Sequence, residues 1–144
     1  MAFVNRNTPQ LTLEGARAVL VAAERHAVKI HCPMNIAVVD DGGLLLAFAR
    51  MDNAKPASIE IALTKARAAA LRRAPTGLTV KDGVPDLGVA LGLAAAGPDQ
   101  QTPIRGGIPL VVDGQVVGAI GVSAGNQDED VSVAEAGVAA LTQV

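Results

Sequence analysis

The fold is decided by residues 37–65, AVVDDGGLLLAFARMDNAKPASIEIALTK. Two short aliphatic runs lie on either side of Asp40-Asp41-Gly42-Gly43, and Asp and Gly favour the backbone angles that a hairpin turn needs. A polar segment follows, and Pro56 suits the first turn of a helix because its missing N–H would have no partner there. This stretch therefore predicts a β-hairpin that leads directly into a helix.

The rest of the chain predicts similar elements on both sides of this stretch. Thr12 is placed to cap a helix whose apolar residues recur at helical spacing. Asp113-Gly114 marks a second hairpin, and the interior glycines Gly118 and Gly121 indicate either a bulge or close approach by a ligand or another backbone. The predicted elements are helices over 11–29, 56–73, 87–96 and 131–141, and strands over 35–40, 44–50, 108–112 and 115–122.

This order of elements predicts an α+β domain, an antiparallel sheet with helices packed on it. The first strands are continuously apolar rather than alternating, which indicates a sheet covered on both faces by helices or by another subunit. Residues 98–105 are expected to contain a short edge strand. We expect residues 1–10 to form an N-terminal arm and residues 11–144 to form one domain.

Composition argues against several classes of protein. The formal net charge is −2, there is no basic run, and Phe3 and Phe48 are the only aromatic residues. Nucleic-acid binding needs a phosphate-neutralising patch or stacking platforms, so no nucleic-acid partner is predicted. Cys32 is alone and cannot form an intramolecular disulfide. No apolar run is long enough for a signal peptide or a membrane span, and the prediction is a cytoplasmic protein with no membrane partner.

Five ordered blocks of the sequence resemble the GlcG/HbpS family, which includes the C-terminal domain of PduO. The blocks are AVVDDGG (37–43), RMD (50–52), the helix from Ser58 to Lys65-Ala66, GGIPLVVDG (106–114) and GAIGVSAG (118–125). The resemblance implies a profilin-like fold, a five-stranded antiparallel sheet flanked by helices, assembled into a homo-oligomer. It also implies haem or a corrinoid as the ligand of some members, and it determines fold better than function.

Four polar residues are predicted to meet where the first hairpin leads into its helix. Arg50 and Asp52 are two apart at a strand exit and share a face, and Ser58 and Lys65 are two helical turns apart. If the chain folds back here, the four groups would hold an anionic substrate or a haem propionate. The alternative is an ion pair of Asp52 with Arg50 or Lys65 that only stabilises the turn.

A second candidate binding segment is Arg105-Gly106-Gly107, just before the second hairpin. Consecutive glycine N–H groups can form an anion-binding nest to which Arg105 would add charge, and Pro109 follows two residues later. A plain bend before a strand would use the same glycines. The ligand-binding interpretation places this segment across a pocket from Lys65.

No metal site is predicted. His26 and His31 are the only imidazoles available to haem iron, and both positions favour an exposed or helix-capping role. Asp128, Glu129 and Asp130 stand together before the last predicted helix, where capping is favoured over cation binding.

The sequence therefore predicts a cytoplasmic, homo-oligomeric protein that binds an anionic small molecule, with haem or another tetrapyrrole as the candidate cofactor. Its predicted ligand-binding residues are Arg50, Ser58, Arg105, Gly106, Gly107 and Pro109. One alternative is an enzyme of small-molecule catabolism in which Asp52 and Lys65 carry out acid–base chemistry on a carboxylate-bearing substrate. A second alternative is an oligomeric scaffold without a small ligand.

Overall fold

The computed structural model describes residues 3–141 and contains an α+β domain. Its helices are α1 (Leu13–Lys29), α2 (Ser58–Arg72), α3 (Leu87–Ala96) and α4 (Gln127–Leu141). Its strands are β1 (Asn35–Asp40), β2 (Leu45–Arg50), β3 (Val80–Lys81), β4 (Val84–Pro85), β5 (Gly107–Val112) and β6 (Gln115–Ser123). The predicted fold class and the order of helices and long strands are confirmed.

The main sheet is antiparallel and has four strands in the order β2-β1-β6-β5. The prediction of five strands is wrong within the described part of the chain. The short strands β3 and β4 pair only with each other, and no strand forms over the predicted edge segment 98–105. Pro98 and Pro103 lie in that segment, and proline cannot donate to a strand ladder.

Helices cover the two faces of this sheet. α1 and α4 pack on one face, and α2 packs on the other, over β1, β5 and β6. The first five residues of β1 are all buried, which confirms the predicted two-sided burial for that strand. The edge strand β2 is only partly buried, so the prediction does not hold there. The larger core, between the sheet and α1/α4, is built from aliphatic residues such as Val19, Ile36, Ile120 and Val133.

The second core is built mainly from alanine, and it brings α2 very close to the sheet. Ala37, Ala66 and Ala119 pack together there. A Cβ at Gly121 would collide with the backbone carbonyl oxygen of Ala62 and the backbone nitrogen of Ala66. The glycine is therefore required by the close approach of another backbone, one of the two predicted explanations.

Helix boundaries follow local capping signals at three of the four N-termini. Thr12 Oγ1 accepts a hydrogen bond from the Gly15 N–H, as predicted. Asp86 caps α3 in the same way, through Val89 N–H. α4 begins earlier than predicted, at Gln127, because Asn126 and Glu129 cap each other's backbone N–H groups. The acidic residues 128–130 consequently lie inside the first turn of α4.

None of the helices within residues 3–141 is both long and apolar enough to cross a membrane.

Candidate functional site

A buried ion pair joins α2 to α4 beneath the start of β5. Lys65 Nζ lies 2.8 Å from Asp130 Oδ2, and the two side chains are 1% and 4% exposed. The ammonium also donates a hydrogen bond to the Val122 carbonyl at 2.8 Å, and Asp130 Oδ1 accepts one from the Gly125 N–H. Each charged group therefore has both an opposite charge and a backbone partner, which is what a buried ion pair requires.

Burial acts on both members of this pair. Loss of hydration lowers the pKa of Lys65 from its ordinary value of 10.5, although the hydrogen bond and charge of Asp130 oppose the shift. Loss of hydration likewise raises the pKa of Asp130 above 3.8, opposed mainly by Lys65. Both shifts have the same origin, because a low-dielectric interior disfavours whichever form carries charge.

The segment Gly106-Gly107 lies directly on this ion pair. A Cβ at Gly106 would stand 2.9 Å from Lys65 Nζ and 2.7 Å from the Val122 carbonyl oxygen, and the residue has a φ of +123°. A Cβ at Gly107 would collide with the Lys65 carbonyl oxygen. Both glycines are therefore required by close packing over α2.

Thr76 holds the same segment from the other side. Its hydroxyl accepts a hydrogen bond from the Gly107 N–H at 2.9 Å, and its own N–H donates to the Gly107 carbonyl. The Gly107 N–H is thus occupied within the protein, whereas the predicted anion-binding nest needed it for a ligand. The predicted role of Gly106 and Gly107 in ligand binding remains untested.

Arg105, the residue before these glycines, reaches the surface. Its Nη1 lies 2.7 Å from Asp128 Oδ1, and the two side chains are 46% and 87% exposed. Its backbone N–H donates to Gln127 Oε1. The first turn of α4 therefore positions Arg105 through two contacts while leaving much of the guanidinium accessible.

A surface cleft of about 450 Å³ adjoins Arg105, and we call it the α4 cleft. Its apolar walls include Ile108, Val131 and Val138, and its polar lining includes Thr76, Arg105 and Glu135. The volume falls within the roughly 300–1,000 Å³ that is usual for small-molecule sites. An apolar surface next to a single accessible cation suits a mostly apolar molecule that carries an anionic group.

The four residues predicted to meet after the first hairpin are not brought together around Lys65. Within residues 3–141 the hydrogen-bond and ion-pair partners of Lys65 are Val122 and Asp130, so the predicted meeting with Asp52 is wrong. Arg50 is exposed at the end of β2, and Asp52 is exposed in the turn that follows. Ser58 begins α2 and lies on the same helix face as Lys65, as their spacing predicts, and both residues are buried, which the sequence did not predict. Catalytic roles for Asp52 and Lys65 remain predictions.

Three other residues considered in the sequence analysis, Pro109, His26 and His31, lie in different parts of the fold. Pro109 is buried in β5 opposite Ala119, and its contact with a ligand remains a prediction. His31 is exposed with a φ of +54° just after α1, and His26 is partly buried in the last turn of α1. Neither histidine lines the α4 cleft.

Sequence reasoning missed Asp130 as the partner of Lys65 and Thr76 as the partner of Gly107. Asp130 was expected to cap a helix, and it does accept the Gly125 N–H, but its second oxygen binds Lys65. A signal was available: Lys65 stands among Ala62, Ala66 and Ala69 on a face that has to be apolar. A lysine on such a face requires a buried counter-charge.

Comparisons with known proteins agree with this architecture. The sequence profile described as "Haem degrading protein HbpS-like" matches residues 11–139. GlcG of Escherichia coli K12 is 40% identical over 113 residues, which cover 78% of this chain and 81% of that protein. The Klebsiella pneumoniae protein ORFY has a crystal structure with a TM-score of 0.87 and 28% identity, over 100% of this chain and 99% of that one.

A second similar structure was solved with a ligand. It is a complex of PduOC with haem, with a TM-score of 0.81 and 27% identity, over 92% of this chain and 95% of that chain. The profile match and the GlcG identity extend over most of this sequence, and the structural likeness includes both helical layers and the sheet. The chain belongs to the HbpS-like family, related to GlcG and described as haem-degrading.

Proposed function

We propose that this protein binds an anionic, mostly apolar small molecule of the tetrapyrrole type in the α4 cleft, with a carboxylate of the ligand held by Arg105. The observation that carries the proposal is the position of an accessible guanidinium at an apolar cleft. Glu135 also lines this cleft and would repel a second carboxylate, which confines the anionic group to the end near Arg105. The family description and the haem complex of PduOC support haem as the first compound to test.

The lining of the cleft fits some parts of haem and not others. Ile108, Val131 and Val138 provide an apolar surface for the macrocycle, and Arg105 suits a propionate. Haem iron is usually held by His, Cys, Met or Tyr, and no such residue lines the cleft among the described residues. We therefore propose that binding depends on the macrocycle and its carboxylate rather than on an axial ligand from this cleft.

Assembly into a cytoplasmic homo-oligomer forms part of the same proposal. α3 contains no charged residue, and Ala90 is its only buried one. Leu87 and Leu91 are 68% and 72% exposed, although a helix that is apolar on every side is normally covered. A second copy of the chain would cover it.

Light scattering tests this assembly. The double variant Leu87→Glu/Leu91→Glu should dissociate into single chains, whereas Val28→Glu, at an exposed position of α1, should not.

Titration with haemin and with iron-free protoporphyrin IX tests the binding site. Because the proposed contacts do not involve iron, both compounds should bind with dissociation constants within about threefold of each other. Arg105→Ala should weaken both by about tenfold, the usual effect of losing a hydrogen bond to a charged group. Arg25→Ala removes the same charge from the exposed surface of α1 and serves as the matched control.

Two results would contradict this function. Binding of haemin without any binding of protoporphyrin IX would show that an iron ligand elsewhere dominates. Equal affinities of the Arg105→Ala and Arg25→Ala variants would remove the α4 cleft as the site.

A further inference from the structure

A second cleft also borders Arg105, and we call it the α2 cleft. It has a volume of about 490 Å³ and lies between the end of α2 and the segment that leads to β3. Its polar lining consists of two arginines and three neutral side chains: Arg72, Arg105, Thr76, Thr79 and Gln127. No aspartate or glutamate lines it among the described residues.

Arg72 is the unusual member of this lining. It is the last residue of α2, and the chain leaves the helix through Arg73 in the left-handed conformation, with a φ of +55°. Nη1 of Arg72 is shielded from solvent, and within residues 3–141 it has no hydrogen-bond acceptor. A buried donor without an acceptor is costly, and such groups in native proteins usually have a partner.

The helix dipole explains part of this arrangement but not all of it. The carboxyl end of α2 favours a positive charge nearby, so an arginine at position 72 is expected. An extended arginine would satisfy that preference with its guanidinium in water. The dipole therefore does not explain why Nη1 is turned away from solvent, where it meets no acceptor.

The charges around the cleft leave Arg72 without a neutralising partner. The two ion pairs observed within residues 3–141 join Lys65 to Asp130 and Arg105 to Asp128. Asp128 is 87% exposed and is bound by Arg105, which keeps further N–H donors for another acceptor. Two guanidinium groups thus line the α2 cleft, and within the described part of the chain one carboxylate, that of Asp128, forms an ion pair with one of them.

We propose that the α2 cleft is an oxyanion-binding site in which a phosphate or carboxylate group lies between Arg72 and Arg105. Nη1 is shielded from solvent in its present position, so an anion in the cleft supplies the acceptor that Nη1 lacks once the partly exposed Arg72 side chain turns toward the cleft. The Thr76 hydroxyl accepts from the Gly107 N–H, so its own proton is available to the anion. This site is distinct from the α4 cleft, although Pro75, Thr76 and Arg105 line both clefts.

Calorimetric titration at low ionic strength tests the site, with inorganic phosphate and malonate as the two probes. Saturable binding of phosphate alone would identify a phosphate group, and binding of malonate alone a carboxylate group. Arg72→Gln should weaken the bound probe by at least about tenfold. Arg73→Gln removes the same charge from the next residue, which does not line the cleft, and should change the affinity less than twofold.

A second variant keeps the test decisive if Arg72→Gln does not fold. Leu78 is exposed and lines the α2 cleft, so Leu78→Glu places a carboxylate beside both arginines while leaving them intact. This variant should abolish probe binding. Absence of saturable binding by the natural sequence, or retained binding in Leu78→Glu, would overturn the proposal. Loss of haemin and probe affinity together in Arg72→Gln would show one shared site and would also overturn it.

Discussion

Two ion pairs of nearly equal length start from the same turn of α4 and have opposite surroundings. Asp130 lies 2.8 Å from the Lys65 ammonium, and Asp128 lies 2.7 Å from the Arg105 guanidinium. The first pair is almost completely buried, whereas Asp128 in the second is 87% exposed. Distance alone therefore says little about what either pair contributes. Because it is buried, the Lys65–Asp130 pair acts on the stability of the fold, whereas the exposed Arg105–Asp128 pair leaves Arg105 available to a ligand.

Breaking the buried pair should have the largest effect. Lys65→Met leaves the Asp130 carboxylate without its partner, and Asp130→Ala leaves the Lys65 ammonium in the same condition. Each should lower the free energy of unfolding by about 3–5 kcal/mol, because an uncompensated buried charge remains. Urea denaturation at pH 7 measures the change. Asp128→Ala is the matched control, and a loss as large as that of Asp130→Ala would contradict the distinction.

The second prediction concerns the glycine that lies against this pair. Gly106→Ala should lower the free energy of unfolding by about 1–3 kcal/mol, from the left-handed backbone and from overpacking. Gly114 also has a positive φ, +76°, but a Cβ there would meet nothing within 4 Å. Gly114→Ala therefore measures the backbone cost alone. Equal losses in the two variants would show that packing on Lys65 and Asp130 is unimportant.

The hairpins β1–β2 and β5–β6 and all four described helices could be predicted from the sequence, because turns, caps and apolar spacing are local signals. The short hairpin β3–β4 was not predicted. The partner of Lys65 could not be predicted in this way, because Asp130 lies 65 positions away along the chain. Apolar periodicity identifies the buried face of a helix but not the residues that pack on that face. Nearness in sequence favours Arg50 and Asp52 as partners of Lys65, and neither of them contacts it through a hydrogen bond or an ion pair. For the same reason the sequence could not predict that Nη1 of Arg72 is buried and, within residues 3–141, has no hydrogen-bond acceptor.

The third prediction concerns how the contribution of Lys65 and Asp130 to the free energy of unfolding changes with pH. Burial raises the pKa of Asp130, so its contribution to stability is complete below pH 3.8 and is lost as the pH rises through the folded-state pKa. Burial lowers the pKa of Lys65, so its contribution is complete above pH 10.5 and is lost as the pH falls through the folded-state pKa. The pair should therefore contribute least between these two folded-state values.

The double variant Lys65→Met/Asp130→Leu isolates this effect because it removes both titrating groups. Its unfolding free energy, subtracted from that of the natural sequence at each pH, should give a curve with a minimum in the neutral range. A curve with its maximum there would mean that attraction between the charges exceeds their loss of hydration.

The exposed pair should give the smallest change in stability and a measurable change in binding. Asp128→Asn removes the charge that competes for Arg105, and it should alter the free energy of unfolding by less than about 1 kcal/mol. Freed of this competitor, Arg105 should bind the carboxylate of protoporphyrin IX roughly two- to fivefold more tightly at low ionic strength. The gain should shrink in about 1 M salt, where screening acts over about 3 Å. An unchanged affinity would mean that Arg105 does not contact the ligand, because the variant alters little else at the surface of the cleft.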